Sequence, residues 1–457
     1  MNALELSKKI DSQDAADLFA ELYGSEEVEA AKRRYHSLID GICGSDFSDS
    51  ESGGDAPLRV FSASGRTELG GNHTDHNCGK VLAAAIQLDS VAVVRERKDK
   101  TVFFRSTGHR DVKVNLTDSS GAPALDPLPE EVGETESLIR GIAAEFSRRG
   151  IPVGGFSVNA DSLVLSGSGL SSSAAVEMLF GRIINSLFGN NVCSTTEIAK
   201  IGQIAENKYF GKPCGLMDQI ASVSGGVVAI DFAKKPDEAE YPRIRRIKFD
   251  LADNGYALCV VNTRGSHSDL TQDYAAITNE MKAVAAFFGK SVLAELDREI
   301  VLSRAADVRK AAGDRAFLRS LHFFDENDRV DQMTDAMITM SRSLEFDENQ
   351  ASLGHFLGLV NESGDSSWEF LQNIYSPRNV ETQGLSVALA LSKNFFRRHK
   401  IMGAYRVHGG GFAGTIQAYV PLDALAEYRA AIESVFGANS VTVLRIRSRG
   451  ATELFAI

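Results

Sequence analysis

The chain has 457 residues, of which 43% are hydrophobic and 24% charged, and its formal net charge is −12. These values are typical of a folded protein and argue against intrinsic disorder, and the length allows two domains with substantial cores. Lysine and arginine do not cluster with aromatic residues, so the pattern of a nucleic-acid-binding protein is missing. We therefore expect a partner other than a polyanion.

No apolar run reaches the roughly 18 residues that a membrane helix needs. Residues 1–19 have the pattern of an amphipathic helix rather than that of a signal peptide. The five cysteines are widely spaced and form no C-x-x-C pair, which is typical of reduced, mostly buried thiols. Together these features predict a cytoplasmic protein that does not bind membranes.

The elements predicted along the chain suggest three parts. Helical periodicity extends to residue 43 and gives way to a polar, Gly/Ser-rich linker, so we assign 1–57 to an N-terminal helical extension. Strand-like and helical segments alternate over 58–240, which we assign to a first domain with a mixed sheet. The pattern changes near residue 240, and 241–457 begins with strands, continues almost without interruption as helix to 348, and ends in alternating helices and strands. We assign this last part to a second domain.

Three glycine-rich stretches concentrate the candidate chemistry. The first, "GRTELGGNHTDHNCGK" (65–80), gathers histidines and an aspartate around Arg66. The second, "LSGSGLSSSAA" (165–175), places backbone N–H groups at a helix start, where an anion is favoured, although a simple N-capped helix is an alternative. The third, "RVHGGGFAGT" (406–415), lies between two strand-like runs and allows close backbone approach or a structural bulge. The second stretch is neither a Walker A loop nor a hydrolase nucleophile elbow.

A further segment, "AENKYFGKPCGLMDQIASVSGG" (205–226), contains two carboxylates of interest. Glu206 falls late on a predicted helix, and Asp218 lies in a turn among apolar neighbours. Such a carboxylate near a phosphate-binding loop can act as a base or as a metal ligand. The alternative for Asp218 is an N-cap of the helix that follows it.

Taken together, these segments resemble the galactokinase branch of the GHMP kinase superfamily, named for galactokinase, homoserine kinase, mevalonate kinase and phosphomevalonate kinase. The resemblance extends from about residue 58 to the C-terminus. "GRTELGGNHTDHNCG" resembles the signature G-R-x-N-[LIV]-I-G-E-H-T-D-Y-N-G-G, "GSGLSSSAAVE" the phosphate loop and "GKPCGLMDQIASV" the active-site segment. "NTRGSHSDLTQDYAA" and "LHFFDENDRV" are weaker similarities in the same order. The resemblance implies an α+β fold of two domains, an N-terminal mixed-sheet domain and a C-terminal ferredoxin-like domain, with the active site in the cleft between them.

The reaction that the resemblance implies is transfer of the γ-phosphate of Mg-ATP to the 1-hydroxyl of a sugar. It makes Asp218 the catalytic carboxylate and Arg66 its partner, and it assigns Mg²⁺ to Ser173 and Glu206. The ATP phosphate loop that it implies consists of Gly167, Ser168, Gly169, Leu170, Ser171, Ser172 and Ser173. Such a set is chemically sufficient, because phosphoryl transfer depends on in-line positioning and neutralisation of charge. Whether Asp218 removes the proton or only orients the hydroxyl stays open.

The sugar contacts implied by the resemblance are Asn72, His73, Asp75, Cys214, Gly215 and Tyr274. Asp75 is the strongest of them, because an ionised carboxylate accepts hydrogen bonds from two neighbouring ring hydroxyls. For His73 and His76, a structural role in the loop and a metal-binding role are alternatives.

The first glycine stretch departs from the family signature in several ways, among them that Glu68 replaces the usual Asn, Gly70 the usual Ile, Asn72 the usual Glu and His76 the usual Tyr. In the family, the glutamate at the position of Asn72 faces the 6-hydroxyl of the sugar. A glutamate about 4 Å from a C6 carboxylate would oppose it by roughly 4 kcal/mol, close to a thousandfold in affinity. Asn72 admits galactose and removes this barrier to a uronic acid.

Four functions therefore compete. The leading one is a galactokinase that makes galactose 1-phosphate. The others are a sugar 1-kinase for another substrate such as galacturonate, a non-catalytic sensor that binds galactose and ATP, and a kinase of the non-sugar branches. The catalytic residues argue against the sensor, and the "GNHTDHN" signature argues against the non-sugar branches. We expect a monomer or a weak oligomer.

Overall fold

The computed structural model describes residues 1–44, 47, 56–164, 169–233, 241–265, 270–343 and 345–455. These residues form a mixed structure of helices and two β-sheets, as the predicted α+β class requires. Among them, no helix combines the length and the apolar character that crossing a lipid bilayer demands. All five cysteines carry free thiols.

Twelve strands build the sheets: β1 Arg59–Gly70, β2 Lys80–Glu96, β3 Thr101–Ser106, β4 Val112–Asn115, β5 Phe156–Ser162, β6 Val227–Asp231, β7 Arg243–Ile247, β8 Tyr256–Asn262, β9 Ala404–His408, β10 Thr415–Pro421, β11 Val441–Leu444 and β12 Thr452–Leu454. The first sheet has eight strands in the order β12-β1-β2-β5-β3-β4, with β6 paired to β2 and β7 to β6. The second sheet has four antiparallel strands in the order β11-β8-β10-β9.

Fourteen α-helices surround these sheets in the described part of the chain: α1 Ala3–Ile10, α2 Gln13–Tyr23, α3 Val28–Cys43, α4 Thr135–Arg148, α5 Ser172–Leu187, α6 Thr195–Ala205, α7 Met217–Ser224, α8 Thr271–Phe287, α9 Arg298–Ser303, α10 Ala305–Ala312, α11 Asp314–Arg342, α12 Phe346–Ser366, α13 Gly384–His399 and α14 Leu425–Phe436. The prediction of one helix over residues 1–19 is wrong. Asn2 caps α1 and Ser12 caps α2, so two cap residues divide this segment into separate helices.

Strand β2 organises the first sheet, because its two halves have different partners. Residues 80–84 pair with β6, residues 90–96 pair with β5, and β1 accompanies most of its length. The apolar run at its start is buried on both faces, since helices cover the sheet on each side. Strand β1 thereby carries the first glycine stretch into the interior of the protein.

Helices α1–α3 cover one face of the first sheet. Their apolar side chains pack on Val60, Val91 and Val93, and Asp89 anchors them by polar contacts. The carboxylate of Asp89 is fully buried and accepts hydrogen bonds from Tyr23 at 2.8 Å and from Arg34 at 2.7 Å. The opposite face packs on α4, α5 and α6.

The two halves of the chain are interleaved. Strand β7 and the C-terminal strand β12 both belong to the first sheet, although each lies beyond residue 240. Helices α11 and α12 share a hydrophobic core with β2 and with β8 and β10 of the second sheet. The boundary that we place near residue 240, part of it in the undescribed residues 234–240, therefore stays a prediction.

Candidate active site

Arg66 and Asp218 form the centre of the candidate site. Arg66 lies on β1 beside a register shift in the β1–β2 pairing, and Asp218 lies in the first turn of α7. The guanidinium donates from Nε to Oδ1 at 2.7 Å and from Nη2 to Oδ2 at 2.6 Å. Burial raises the pKa of Asp218, but the charge and hydrogen bonds of Arg66 outweigh it and leave that pKa below its usual value. Asp218 is therefore an ionised acceptor at neutral pH.

Asp218 is not an N-cap. Helix α7 starts after Leu216, and no side chain caps it. The Asp218 side chain remains 31% exposed, whereas that of Arg66 is 8% exposed. The open side of this carboxylate is where a substrate hydroxyl can approach.

The predicted phosphate loop meets this ion pair directly. The backbone N–H of Arg66 donates to Leu170 O at 3.1 Å, its Nη1 donates to Gly169 O, and the hydroxyl of Ser171 donates to Asp218. Ser171 has a left-handed backbone with φ of 58° and does not cap α5, so the alternative of a simple N-capped helix is wrong. A non-glycine residue in this region costs about 1 kcal/mol, which indicates that contacts hold the loop in place. Gly167 and Ser168 lie outside the described residues.

Glu206 and Ser173, the predicted metal ligands, lie side by side. Ser173 Oγ donates to Glu206 Oε1 at 3.1 Å, and Lys212 Nζ donates to the same oxygen at 2.9 Å. Glu206 begins a π-helical turn, Glu206–Phe210, that continues α6. Gln219 Nε2 lies between two carboxylates, 3.0 Å from Glu206 Oε2 and 2.9 Å from Glu177 Oε2.

The residues around Glu206 fit a hard divalent cation. Glu177 Oε1 and Gln219 Oε1 are buried side-chain oxygens without a hydrogen-bond partner. Burial, and next the charge of Glu206, raises the pKa of Glu177 well above its usual value. The carboxylate and hydroxyl oxygens of Glu206 and Ser173 suit Mg²⁺, which takes such ligands and completes its shell with water and phosphate. Among the described residues, no group of three or more His, Cys, Asp or Glu side chains could hold a metal ion.

Asp75 links the first glycine stretch to the segment around Asp218. A Cβ atom added to Gly215 would lie 1.9 Å from Asp75 Oδ2, so a larger residue at 215 would displace the Asp75 carboxylate. Cys214 precedes it and accepts a weak hydrogen bond from Gln219 Nε2 at 3.7 Å. Burial raises the pKa of the Cys214 thiol, which keeps it protonated.

Asn72, His73 and Tyr274 contact the third glycine stretch. Asn72 Nδ2 donates to Gly409 O at 2.6 Å, and His73 Nε2 to Gly410 O at 2.8 Å. The Tyr274 hydroxyl donates to Gly411 O at 3.2 Å, and its ring stacks on His73 with centroids 6.5 Å apart. Glycine is required at 410, where a Cβ would lie 2.4 Å from the Tyr274 ring. The third glycine stretch (406–415) thus lies directly against the first (65–80).

Helix α11 fixes the first glycine stretch from the other side. His322 Nε2 donates to Asn72 O at 2.8 Å, Glu326 Oε1 accepts from Gly71 N at 3.0 Å, and Asn327 Oδ1 accepts from Lys80 N at 2.6 Å. The three side chains belong to the weakly similar segment "LHFFDENDRV". His322 and Glu326 are four residues apart, so they share one face of the helix.

The structure brings the described candidate residues together. Asp75 lies against Gly215, which follows Cys214. Arg66, residues 169–173 of the phosphate loop, Glu206 and Asp218 form one group, and Asn72, His73 and Tyr274 form a second. His408 joins them, since its ring nitrogens bond Thr67 at 3.0 Å and Thr415 at 2.9 Å, close to Gly169.

Sequence reasoning missed several polar residues that complete the site: Glu177, Lys212, Gln219, Asn373 and Arg406. Lys212 falls inside the quoted active-site segment, so its charge was a signal that could have been used. Arg406 also falls inside a quoted stretch, the third, but its partner Glu68 is 338 residues away, and Asn373 lies outside all quoted stretches, 301 residues from its partner Asn72.

Comparison with known families explains this geometry. Residues 137–226 match the family model described as the GHMP kinases N terminal domain, and residues 49–96 match the galactokinase galactose-binding signature. The chain is therefore similar to the GHMP kinases in the segments that contain Arg66, Glu206 and Asp218. Its resemblance to the galactokinase branch is thereby confirmed.

Curated relatives and a solved structure extend the GHMP kinase similarity over most of the chain. A galactokinase of Glaesserella parasuis is 29% identical over 373 residues, which cover 80% of this chain and 86% of the relative. A galactokinase of Streptomyces coelicolor is 29% identical over 396 residues, covering 86% and 92%. The crystal structure of Lactococcus lactis galactokinase complexed with galactose superposes with a TM-score of 0.70 at 22% identity, covering 88% of this chain and 96% of that one. The GHMP kinase fold is therefore confirmed.

Proposed function

We propose that this GHMP kinase is a galactokinase that transfers the γ-phosphate of ATP to the anomeric hydroxyl of galactose and releases ADP and galactose 1-phosphate. The observation that carries the proposal is the Arg66–Asp218 ion pair, which the phosphate loop contacts through Gly169 and Ser171. The loop that would hold the phosphates and the carboxylate that would receive the sugar hydroxyl are thus in direct contact. This is the arrangement that in-line phosphoryl transfer needs.

The residues of the pair have distinct chemical roles in the proposed reaction. Ionised Asp218 accepts a hydrogen bond from the attacking hydroxyl and can accept its proton. Arg66 holds the carboxylate in one orientation and presents positive charge to the transferring phosphoryl group. Ser173 and Glu206 would hold Mg²⁺, which would neutralise part of the phosphate charge. Each effect lowers the barrier by favouring the transition state over the separated reactants.

The sugar would bind between Asp75 and the third glycine stretch. Asp75 lies against Gly215, three residues before Asp218, and this proximity supports a role for the Asp75 carboxylate in binding sugar hydroxyls. His73 and Tyr274 supply a stacked pair of rings on the other side. Burial lowers the pKa of His73 to about 3, so the ring is neutral at physiological pH and donates one hydrogen bond rather than a charge.

A galacturonate kinase is the second candidate, and the environment of Asn72 favours keeping it. The position holds a neutral amide, and the nearby Glu68 carboxylate is paired with Arg406 at 2.5 Å. Neither Asn72 nor Glu68 therefore presents an unpaired negative charge that would repel a C6 carboxylate.

A substrate panel tests the proposal. The purified protein is supplied with Mg-ATP and with galactose, galacturonate, glucose or mannose, ADP release is followed, and the position of the phosphate is read by ³¹P NMR. We expect galactose to give the highest kcat/KM and a product phosphorylated at C1. If galactose were inert and galacturonate active, the galactokinase proposal would be wrong and the second candidate right. If no sugar released ADP while galactose raised the melting temperature, the sensor function would replace both.

Two further proposals concern the cellular compartment and the oligomeric state of the enzyme. We place the enzyme in the cytoplasm, where ATP is abundant, and the free thiols of its five cysteines support a reducing compartment. The monomer or weak oligomer expected from the sequence is kept as a proposal, which sedimentation at micromolar concentration would test.

A further inference from the structure

Glu68, Asn72, Asn373 and Arg406 form one buried polar network beside the sugar side of the candidate site. Arg406 Nη2 donates to Glu68 Oε1 at 2.5 Å, and Asn72 Nδ2 donates to the same oxygen at 3.1 Å. Asn373 Nδ2 donates to Asn72 Oδ1 at 2.8 Å and to Gly410 O at 3.2 Å. All four residues are buried, and Arg406 and Asn373 are fully so.

The network joins distant parts of the chain. Glu68 and Asn72 belong to β1 and the loop that follows it in the first sheet, whereas Arg406 lies on β9 of the second sheet and Asn373 lies between α12 and α13. A buried charge is costly unless it is paired, so Glu68 and Arg406 each require the other. Arg406 Nε and Nη1 have no hydrogen-bond partner. The buried guanidinium therefore depends on the Glu68 carboxylate for its neutralisation.

Glu68 and Asn72 also differ from the residue types that the galactokinase signature has at their positions. The galactokinase signature has an amide at the position of Glu68 and a carboxylate at the position of Asn72, and this chain has the two exchanged. One carboxylate and one amide are retained, and they are hydrogen-bonded to each other. The exchange moves the negative charge next to Arg406 and leaves the amide of Asn72 to hold Gly409.

We infer that Glu68 and Asn72 act as a pair of positioning residues, which hold residues 409–411 through Arg406 and Asn373 and thereby set the positions of His73 and Tyr274. The three carbonyls of this glycine segment accept from Asn72, His73 and Tyr274. A shift of the segment therefore moves both rings. Arg66 and Asp218 take no hydrogen bond from the network, so the reacting centre is held separately.

The inference has a structural part and a part that rests on the proposed function. The structural part is that loss of the Glu68 charge loosens the segment 404–415, which hydrogen exchange measures without any substrate. The functional part is that the KM for the sugar rises while kcat is retained. If no sugar were a substrate, the proposed function would fail, and hydrogen exchange would still test the pair.

Two variants remove the contacts in different ways. Glu68→Gln keeps the shape and removes the charge, and Asn373→Ala removes the amide that ties Asn72 to Gly410. We expect each to raise the exchange rate of amides in 404–415 and in 71–78 at least tenfold and to raise the sugar KM at least tenfold, with kcat and the KM for ATP changed less than twofold. Asn373→Ala buries no new unpaired charge, so it gives the result even where Glu68→Gln folds poorly.

A double variant that exchanges Glu68 and Asn72, and a control variant at another buried carboxylate, complete the test. Glu68→Asn/Asn72→Glu returns a carboxylate to the network from the other position, and we expect it to recover most of the protection that Glu68→Asn alone loses. Asp89→Asn is the matched control, since Asp89 is an equally buried carboxylate paired with Arg34 and Arg447 but far from the glycine segment. It should lower the melting temperature and leave the sugar KM unchanged. If Glu68→Gln and Asn373→Ala behaved like this control, the pair would be merely structural and the inference would be wrong.

Discussion

Asp218 and Arg66, 152 residues apart in the chain, meet through two parallel hydrogen bonds of 2.6 and 2.7 Å. A planar guanidinium opposite a carboxylate fixes the orientation of both groups, which a lysine could not do. The remaining hydrogen bond of the carboxylate comes from Ser171 in the phosphate loop. The Asp218 carboxylate therefore connects helix α7 to strand β1 and to the phosphate loop.

Replacement of Asp218 by asparagine is expected to lower kcat by about 10²- to 10⁴-fold, because an amide neither takes up a proton nor pairs with Arg66. Steady-state ADP release at saturating ATP and sugar measures the loss. Asp161→Asn is the control, since Asp161 also pairs with an arginine, Arg34 at 2.6 Å, but lies on the side of the first sheet that faces α3. Unchanged phosphorylation by Asp218→Asn would overturn the catalytic assignment.

Lys212 is expected to compete with the metal for Glu206. Its ammonium lies 2.9 Å from Glu206 Oε1, and the lysine side chain is 59% exposed, so solvent screens the pair and the effect is moderate. Lys212→Met should lower the Mg²⁺ concentration for half-maximal activity by about two- to tenfold. Titration of Mg²⁺ at fixed ATP measures it, and the melting temperature in Mg²⁺ without nucleotide gives a second readout.

The same titration separates two roles of Lys212. Glu206→Gln should raise the Mg²⁺ requirement, and Lys9→Met, which removes a surface lysine paired with Asp14, should leave it unchanged. A higher Mg²⁺ requirement in Lys212→Met would show that the ammonium assists phosphate binding instead of competing with the metal.

Because of its buried histidines, we expect the protein to have a lower free energy of unfolding in mild acid than at neutral pH. Burial lowers the pKa of His322 to about 4 and that of His408 to about 3, from an ordinary 6.5, and positive charge from Arg66 adds to the effect at His408. The unfolded chain therefore binds more protons than the folded one below pH 6.5, and the free energy of unfolding falls as the pH falls. Each histidine contributes a slope of about 1.4 kcal/mol per pH unit.

Urea denaturation between pH 7 and pH 4.5 measures this slope. Carboxylates whose folded pKa is lowered, such as Asp89 and Asp218, add to this loss only below about pH 5, where the carboxylates of the unfolded chain begin to take up protons. His322→Gln should be less stable at pH 7 but should show a shallower decline than the parent chain. An equal slope in the two proteins would contradict the role assigned to His322.

Helices α1–α3 are expected to be indispensable for folding. Removal of residues 1–44 would expose Val60, Val91 and Val93 and leave Asp89 without its contacts to Tyr23 and Arg34, so we expect aggregation during expression. A milder test is Tyr23→Phe, which should cost about 1.5–3 kcal/mol because it removes a donor to a buried charge. Tyr256→Phe removes a hydroxyl that donates to the neutral Met402 O at 2.9 Å and should cost only about 0.5–1.5 kcal/mol. Equal losses in urea denaturation would refute the role of the Asp89 charge.

The contents of the site could be predicted where its residues are close in sequence. The helix after the phosphate loop follows from local patterns, and the family resemblance supplied Arg66 as the partner of Asp218. The prediction of a turn at Asp218 is wrong, because Asp218 is the second residue of helix α7. The order of these segments along the chain was enough to name the reaction class. The α+β class followed from the alternation of strand and helix patterns.

The orientation of Asn72 could not be predicted in the same way. Its side chain is turned by Glu68, Gly409 and Asn373, and two of these contacts span more than three hundred residues. A signature position shows which residue is present but not which neighbour uses its hydrogen bonds. The pairing of β12 with β1 escaped prediction for the same reason, since strand pairing over such a distance leaves no local pattern.

Strand β12 has a consequence for synthesis of the protein on the ribosome. It pairs with β1 through Leu454 and Val60, and Arg447 reaches Asp89 at 2.7 Å, so β1 gains its outer partner from residues that are made much later than β1 itself. During translation the outer edge of β1 therefore stays unpaired until Thr452–Leu454 have been synthesised and have left the exit tunnel. The first sheet cannot be completed while it is being made, although its first strand begins at Arg59.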